Sequence, residues 1–116
     1  MQYMLLIYGD EKGWNKLSET EQREGIALYV AYGDALRKAG VYVSSDRLKD
    51  TVDATTVTIV NGKTQVMDGP FADTKEQLGG YYIIEAKTLD EAISWAARCP
   101  GASHGKVEVR PIWAMG

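Results

Sequence analysis

Cysteine occurs once in these 116 residues, at Cys99, and histidine and phenylalanine also occur once each, at His104 and Phe71. A lone thiol cannot close an internal disulfide, and no second Cys or His stands at ligand spacing from it, which excludes a zinc site of the usual composition. Cys99 is therefore expected to be a buried structural thiol in a reducing compartment. No apolar run approaches the roughly 18 residues or more that a membrane-spanning helix requires, so no membrane insertion is expected. Net charge is −3 and the isoelectric point is near 5.1, with Lys and Arg scattered and no basic stripe, which argues against nucleic acid as a partner. No GxxxxGK[ST] loop, no GxGxxG opening a helix after a strand and no HExxH is found, so neither a nucleotide cofactor nor a metal is expected. The opening MQYMLLIYGDEKG carries neither a basic leader nor a small-residue cleavage site, and it reads as the first strand of a cytoplasmic protein.

What is present is the composition of an ordinary globular chain, 45% hydrophobic and 25% charged, at a length that suits one domain over residues 1–116. Residues 2–8, QYMLLIY, are apolar at odd and even positions alike, the mark of a strand covered on both faces. A loop, GDEKGWNKL, follows. Ser18-Glu19-Thr20-Glu21 then forms a capping box before Ile26, Tyr29, Val30, Gly33 and Leu36 at helical spacing, and Gly40 ends that helix. VYVSS from Val41 reads as a second strand running into a polar turn around Asp46 and Asp50. Thr55–Val60, Asn61-Gly62 and Lys63–Met67 make a hairpin, because Asn-Gly accepts the positive φ angles of a type I′ turn. Tyr81–Ala86 is a further strand, and Thr88-Leu89-Asp90-Glu91 caps a second helix stopped at Pro100-Gly101. Period-two alternation in KVEVRPIWA, Lys106–Ala114, predicts the last strand.

The order β-α-β, hairpin, β-α-β predicts an α+β fold: a ferredoxin-like βαβ-βαβ sandwich with an inserted β-hairpin, its antiparallel sheet covered by both helices on one face. Two helices leave the other face open, yet Met4-Leu5-Leu6-Ile7 and Tyr81-Tyr82-Ile83-Ile84 present large groups in both directions. A second copy of the chain covering that face, a two-fold homodimer, is the expected solution.

The opening YMLLIYGDE, the hairpin TTVTIVNGK, the block DGPFADTKEQLGGYYIIEA, the helix DEAISWAARCP and the closing VEVRPI together resemble, nearly end to end, the DGPF-domain branch of the YCII-related family of small bacterial proteins. That resemblance implies a dimeric α/β barrel of ferredoxin-like subunits. It also implies a setting beside extracytoplasmic-function sigma factors. Relatives outside this branch are credited with a histidine–aspartate pair in the cleft, and this chain departs there: Tyr29 aligns where they carry the histidine, and His104 lies in the loop GASHG. A phenol that ionises near pH ~10 is a poor general base at neutral pH, though it can donate a hydrogen bond.

Asp68-Gly69-Pro70 has the chemistry of a turn: Asp favours its start, Gly permits unusual φ, and Pro sets the exit. Phe71 follows in a polar segment where a turn alone does not call for an aromatic, so it either faces a ligand or plugs the dimer interface. Thr74-Lys75-Glu76-Gln77 fits a third capping box, which predicts a single helical turn ended by Gly79-Gly80, its N–H groups open to an anion with Lys75 beside it. Arg110 alternates with Val109 and points to the opposite face; it either binds a carboxylate or phosphate or pairs with Glu85 or Glu108. Two functions stay open at this point. One is a small dimeric enzyme or ligand-binding protein with a cleft between the first helix, the sheet and the DGPF segment, lined by Tyr29, Asp68, Phe71, Tyr81 and Arg110. The other is a non-enzymatic interaction or regulatory module that serves dimerisation and a protein partner such as a sigma factor.

Overall fold

The computed structural model describes residues 1–115. Six strands form: β1 (Gln2–Gly9), β2 (Tyr42–Arg47), β3 (Thr55–Val60), β4 (Lys63–Asp68), β5 (Gln77–Glu85) and β6 (Lys106–Pro111). Four of them make a sheet in the order β2-β5-β1-β6 with every neighbouring pair antiparallel. β1 and β2 thus run parallel with β5 between them, and β5 and β6 run parallel with β1 between them. Each such pair is joined by a crossover helix, α2 (Glu19–Lys38) and α3 (Leu89–Arg98). This is the ferredoxin-like arrangement that the order of elements predicts.

Local chemistry sets the helix ends. Ser18 Oγ accepts from the Glu21 amide and the Glu21 carboxylate accepts from the Ser18 amide, so α2 starts on a complete capping box. At α3 the Thr88 hydroxyl accepts from the Glu91 amide at 3.2 Å, but Glu91 reaches back to the Lys87 amide instead of that of Thr88. α2 and α3 lie on one sheet face, against Tyr3 and Leu5 of β1 and Tyr82 and Ile84 of β5. Leu36, Leu5 and Ile84 are fully buried there, each worth about 1.5–3 kcal/mol of apolar transfer. The Tyr32 hydroxyl donates to the Trp95 carbonyl at 2.6 Å, and its ring meets Tyr82 edge-on at 5.1 Å. Ala92, Ala96 and Cys99 fill the space beneath α3, and Cys99 is a buried free thiol as its solitary occurrence suggests.

Three expectations fail. GDEKGWNKL is no simple loop: Asp10 accepts from the Lys12 amide at 3.0 Å and caps a short helix, α1 (Glu11–Asn15). The single helical turn expected from Thr74 to Gly80 does not form. Gln77 already pairs with Gly9, so β5 takes this stretch, Gly79-Gly80 included. The polar side chains that resemble a cap serve a local turn instead, Thr74 Oγ1 donating to the Glu76 carbonyl and Gln77 Nε2 to the Thr74 carbonyl. The last strand also ends earlier than alternation suggests, at Pro111.

Asn61 (φ 51°) and Gly62 (φ 76°) turn the hairpin as expected, but β3 and β4 form a two-stranded sheet of their own, outside the main one. The chain's radius of gyration of 16.2 Å exceeds the about 13 Å of compact domains near this size, consistent with a projecting ribbon. On the hairpin, Val57 faces Val66 and Ile59 sits diagonally beside them, all three exposed. No helix among the described residues is long and apolar enough to cross a membrane. Because Leu36 joins α2 to the core, Leu36→Ala is expected to cost about 2–5 kcal/mol in urea unfolding; a loss below about 1 kcal/mol would show that α2 is anchored elsewhere.

Candidate functional site

The second half of α2 is seated on the sheet through Tyr32, Gly33 and Leu36, whereas Ile26 and Val30 in its first half stay about half exposed or more, at 46% and 58%. Between that lifted half and the β2–β5 side of the sheet lies a cleft of about 580 Å³. Its roof is Ile26, Tyr29, Val30, Gly33 and Arg37 of α2, its floor Leu78–Tyr82 of β5, and its end wall Trp14 of α1. The segment Ser45–Asp50 closes the remaining side.

Gly80 makes the floor possible. It pairs with Arg47, and a Cβ there would lie 2.7 Å from the Asp46 carbonyl oxygen, a separation no side chain tolerates. Trp14 is set by a similar bare spot, since a Cβ on Gly25 would lie 2.9 Å from its Cζ3. α1 itself is tied to the far side of the cleft. The Glu11 carboxylate accepts from the Thr51 amide at 3.0 Å and from the Thr51 hydroxyl, and Asn15 donates to Asp50 at 2.8 Å. Gln77 accepts from the Glu11 amide at 3.1 Å, joining α1 to the start of β5.

Strand alternation sorts the polar groups. Tyr82 and Ile84 face the helices, so Tyr81 and its partner Asp46 project to the other face, where the Tyr81 hydroxyl donates to Asp46 at 2.5 Å. That bond is the largest influence holding the exposed Tyr81 phenol above its ordinary value. Ser45 and Arg47 turn toward the helices; Ser45 shares a 2.7 Å hydrogen bond with Tyr42. The Arg47 guanidinium rests over the Trp14 ring, 5.0 Å from its centroid, and the Arg37 guanidinium over the Tyr42 ring at 4.2 Å.

The five residues expected to line one cleft are not gathered. Tyr29 is on the roof and Tyr81 borders the floor. The Tyr29 hydroxyl, however, points away from the cleft interior toward Cys99 and Gly101, where a Gly101 Cβ would lie 2.7 Å from it. Burial there pushes the Tyr29 phenol far up, and neighbouring Cys99 adds to this. Asp68, Phe71 and Arg110 lie outside the cleft. Asp68 ends β4 and leads into Gly69 (φ 94°), whose amide donates to the Ala54 carbonyl at 2.7 Å, so the DGP stretch closes the hairpin base. Phe71 is 86% exposed in this chain. Arg110 pairs with Met4 on the helix-free sheet face, exposed and without an ion pair to Glu85 or Glu108 among the described residues. Lys106 instead holds Glu76, and Glu85 holds the terminal amine. Sequence reasoning missed Trp14, Arg37 and Arg47. A tryptophan isolated in a polar stretch and a Gly-Gly pair inside a strand were the available signals.

A ferredoxin-like sheet with a cleft on its helix side defines the class. The YCII-related domain profile matches residues 1–116, and the chain belongs to the YCII-related family. It is 40% identical over 114 residues to an uncharacterized protein of Rhizobium meliloti (strain 1021), covering 97% of this chain and 92% of that one. A solved structure of similar fold is 5-chloro-2-hydroxyhydroquinone dehydrochlorinase (TftG) from Burkholderia phenoliruptrix AC1100, in complex with 2,5-dihydroxybenzoquinone. It matches with a TM-score of 0.57 at 17% identity, covering 100% of this chain and 96% of that one.

Tyr29, Tyr32 and Tyr82 all have phenols raised chiefly by burial. A raised folded-state value favours the neutral phenol, so its contribution is full below the unfolded value near ~10 and is lost as pH rises above it. Burial also raises the Cys99 thiol, so the urea midpoint is expected to hold level from pH ~7 to ~8, to begin falling above ~8.5 and to fall more steeply above pH ~10, with the double variant Tyr29→Phe/Tyr32→Phe losing less above pH ~10. An identical alkaline slope in both proteins would contradict this assignment.

Proposed function

We propose that this protein binds a small, flat, largely apolar molecule in the cleft between α2 and the β2–β5 side of the sheet. The observation that carries this is the cleft itself: about 580 Å³ is within the about 300–1,000 Å³ of ligand pockets, and aromatic walls with a few polar groups are their usual lining. Trp14 and Tyr82 offer ring faces or edges, and Ile26 and Val30 leave apolar surface uncovered above them. The fold relative named for dehydrochlorination holds 2,5-dihydroxybenzoquinone, which makes flat oxygenated rings the first compounds to try.

The helix-free face of the sheet, with Met4, Leu6, Tyr81 and Ile83, is read as the contact between two copies of the chain. A non-enzymatic role in binding a protein partner, such as an extracytoplasmic-function sigma factor, is the second reading. It is favoured by the exposed Val57, Ile59 and Val66 on the projecting hairpin.

A thermal-shift screen of ring compounds against native protein and Val30→Trp separates the readings. Val30 is largely exposed, so the larger side chain fills the cleft with little cost to folding, and a hit is expected to stabilise the native form alone. If no compound shifts the melting point while a sigma factor co-purifies, the second reading replaces the first. Light scattering at micromolar concentration is expected to give twice the 12.8 kDa chain mass; a mass of one chain would overturn the dimer.

A further inference from the structure

Two arginines enter the cleft from opposite sides. Arg47 comes from the end of β2 and turns to the helix side by strand alternation, as its stacking on Trp14 shows. Arg37 comes from α2 and folds back across Gly33, where a Cβ would lie 3.1 Å from its Nη1. Both Gly33 and Arg37 line the cleft. A guanidinium held over an aromatic ring by the cation–π attraction keeps N–H groups free to make a forked contact with an anion.

Neither edge is taken by a strong internal partner. Among the described residues Arg47 makes no ion pair, and Arg37 has only Asp34, 3.6 Å away along the same exposed helix surface. Such exposed pairs contribute about 0–1 kcal/mol. The cleft also has carboxylates on its border, and these are engaged by neutral donors or turned aside. Glu11 takes two hydrogen bonds from Thr51, Asp50 one from Asn15, Asp10 caps α1, and Asp46 is turned to the other sheet face with Tyr81. The lining carries Asp10, Glu11, Asp46 and Asp50 against Arg37, Arg47 and Lys49, so net charge does not select the ligand. The engagement of the side chains does: both guanidiniums border the cleft without a strong internal partner, and the carboxylates are occupied or face out.

We propose that the cleft selects an organic acid with a flat apolar body, its anionic oxygens held by Arg47 and Arg37 and its ring lying against Trp14. This rests on the reading of the cleft as a small-molecule site and adds the class of molecule. A carboxylate, or the deprotonated oxygen of a hydroxyquinone, matches the guanidinium fork.

The test is calorimetric titration of the full chain with matched probes: 4-hydroxybenzoate against 4-hydroxybenzamide, and 2,5-dihydroxybenzoquinone against 2,5-dimethoxybenzoquinone. The acid of each pair is expected to bind about tenfold or more tighter than its neutral counterpart, with the difference shrinking in high salt. Arg47→Gln is expected to weaken the acids about tenfold or more and to weaken the neutral probes much less, with Arg47→Lys recovering part of the acids' loss. Lys63→Gln, on the hairpin tip, is expected to change nothing, and circular dichroism of each variant checks that it is folded. Equal binding of acid and neutral probe, or acid binding unaffected by Arg47→Gln, would overturn the acid preference and leave the cleft reading standing. No binding of any of the four probes would overturn both. Loss of acid binding in Arg110→Gln but not Arg47→Gln would place the acid on the opposite sheet face and overturn the proposal.

Discussion

Strands β2 and β5 meet at Gly80 with no side chain between them, and much of the rest of the molecule hangs on that closeness. Any Cβ at Gly80 would collide with the Asp46 carbonyl; without one, the chain stays hydrogen-bonded to β5 past Arg47 to Leu48, whose amide donates to the Gly79 carbonyl at 2.9 Å. The chain beyond Arg47 is then delivered to Asp50 and Thr51, where α1 is fastened through Asn15 and Glu11. α1 in turn holds Trp14 at the end of the groove, under Arg47 and against Gly25. A cleft wall built from four separate stretches of chain thus depends on one uncrowded backbone contact.

The same sheet divides the chemistry by face. On the helix side are the aromatic and cationic groups: Trp14, Tyr42, Tyr82, Arg37 and Arg47, with the Tyr29 hydroxyl withdrawn into the Cys99–Gly101 corner, where burial keeps it protonated. On the other side are the Tyr81–Asp46 pair, the Met4, Leu6 and Ile83 patch, and Arg110. A phenol as buried as Tyr29 cannot replace a histidine as a base, because desolvation works against the phenolate. What the helix side offers is shape, ring surface and two guanidinium groups. Those are the properties of a binding site.

The fold was legible where local and tertiary signals agree. The Ser18–Glu21 box and the Asn61-Gly62 turn each specify the same structure alone and in context. Legibility failed at Thr74–Gly80, where a helix-start pattern is overridden by pairing of β5 with β1, because ladder bonds and burial outweigh a local cap. The site was less legible. Asp68-Gly69-Pro70-Phe71 identifies the branch that the chain resembles, yet it serves the hairpin base, and its aromatic ring reaches no cleft in this chain. Arg47 and Trp14 stand 33 positions apart in a polar turn and a polar loop, and nothing in their neighbours' periodicity announces that the fold stacks one on the other.

The central claim is that the functional cleft lies on the helix side, above Gly79-Gly80, and not beside the DGPF segment. Mapping amide chemical shifts during titration with a ring acid such as 4-hydroxybenzoate tests it most directly. The account predicts the largest changes at Gly33, Gly79 and Gly80 and at the Trp14 indole. Changes concentrated at Asp68–Phe71 and around Arg110, with those glycines still, would contradict it.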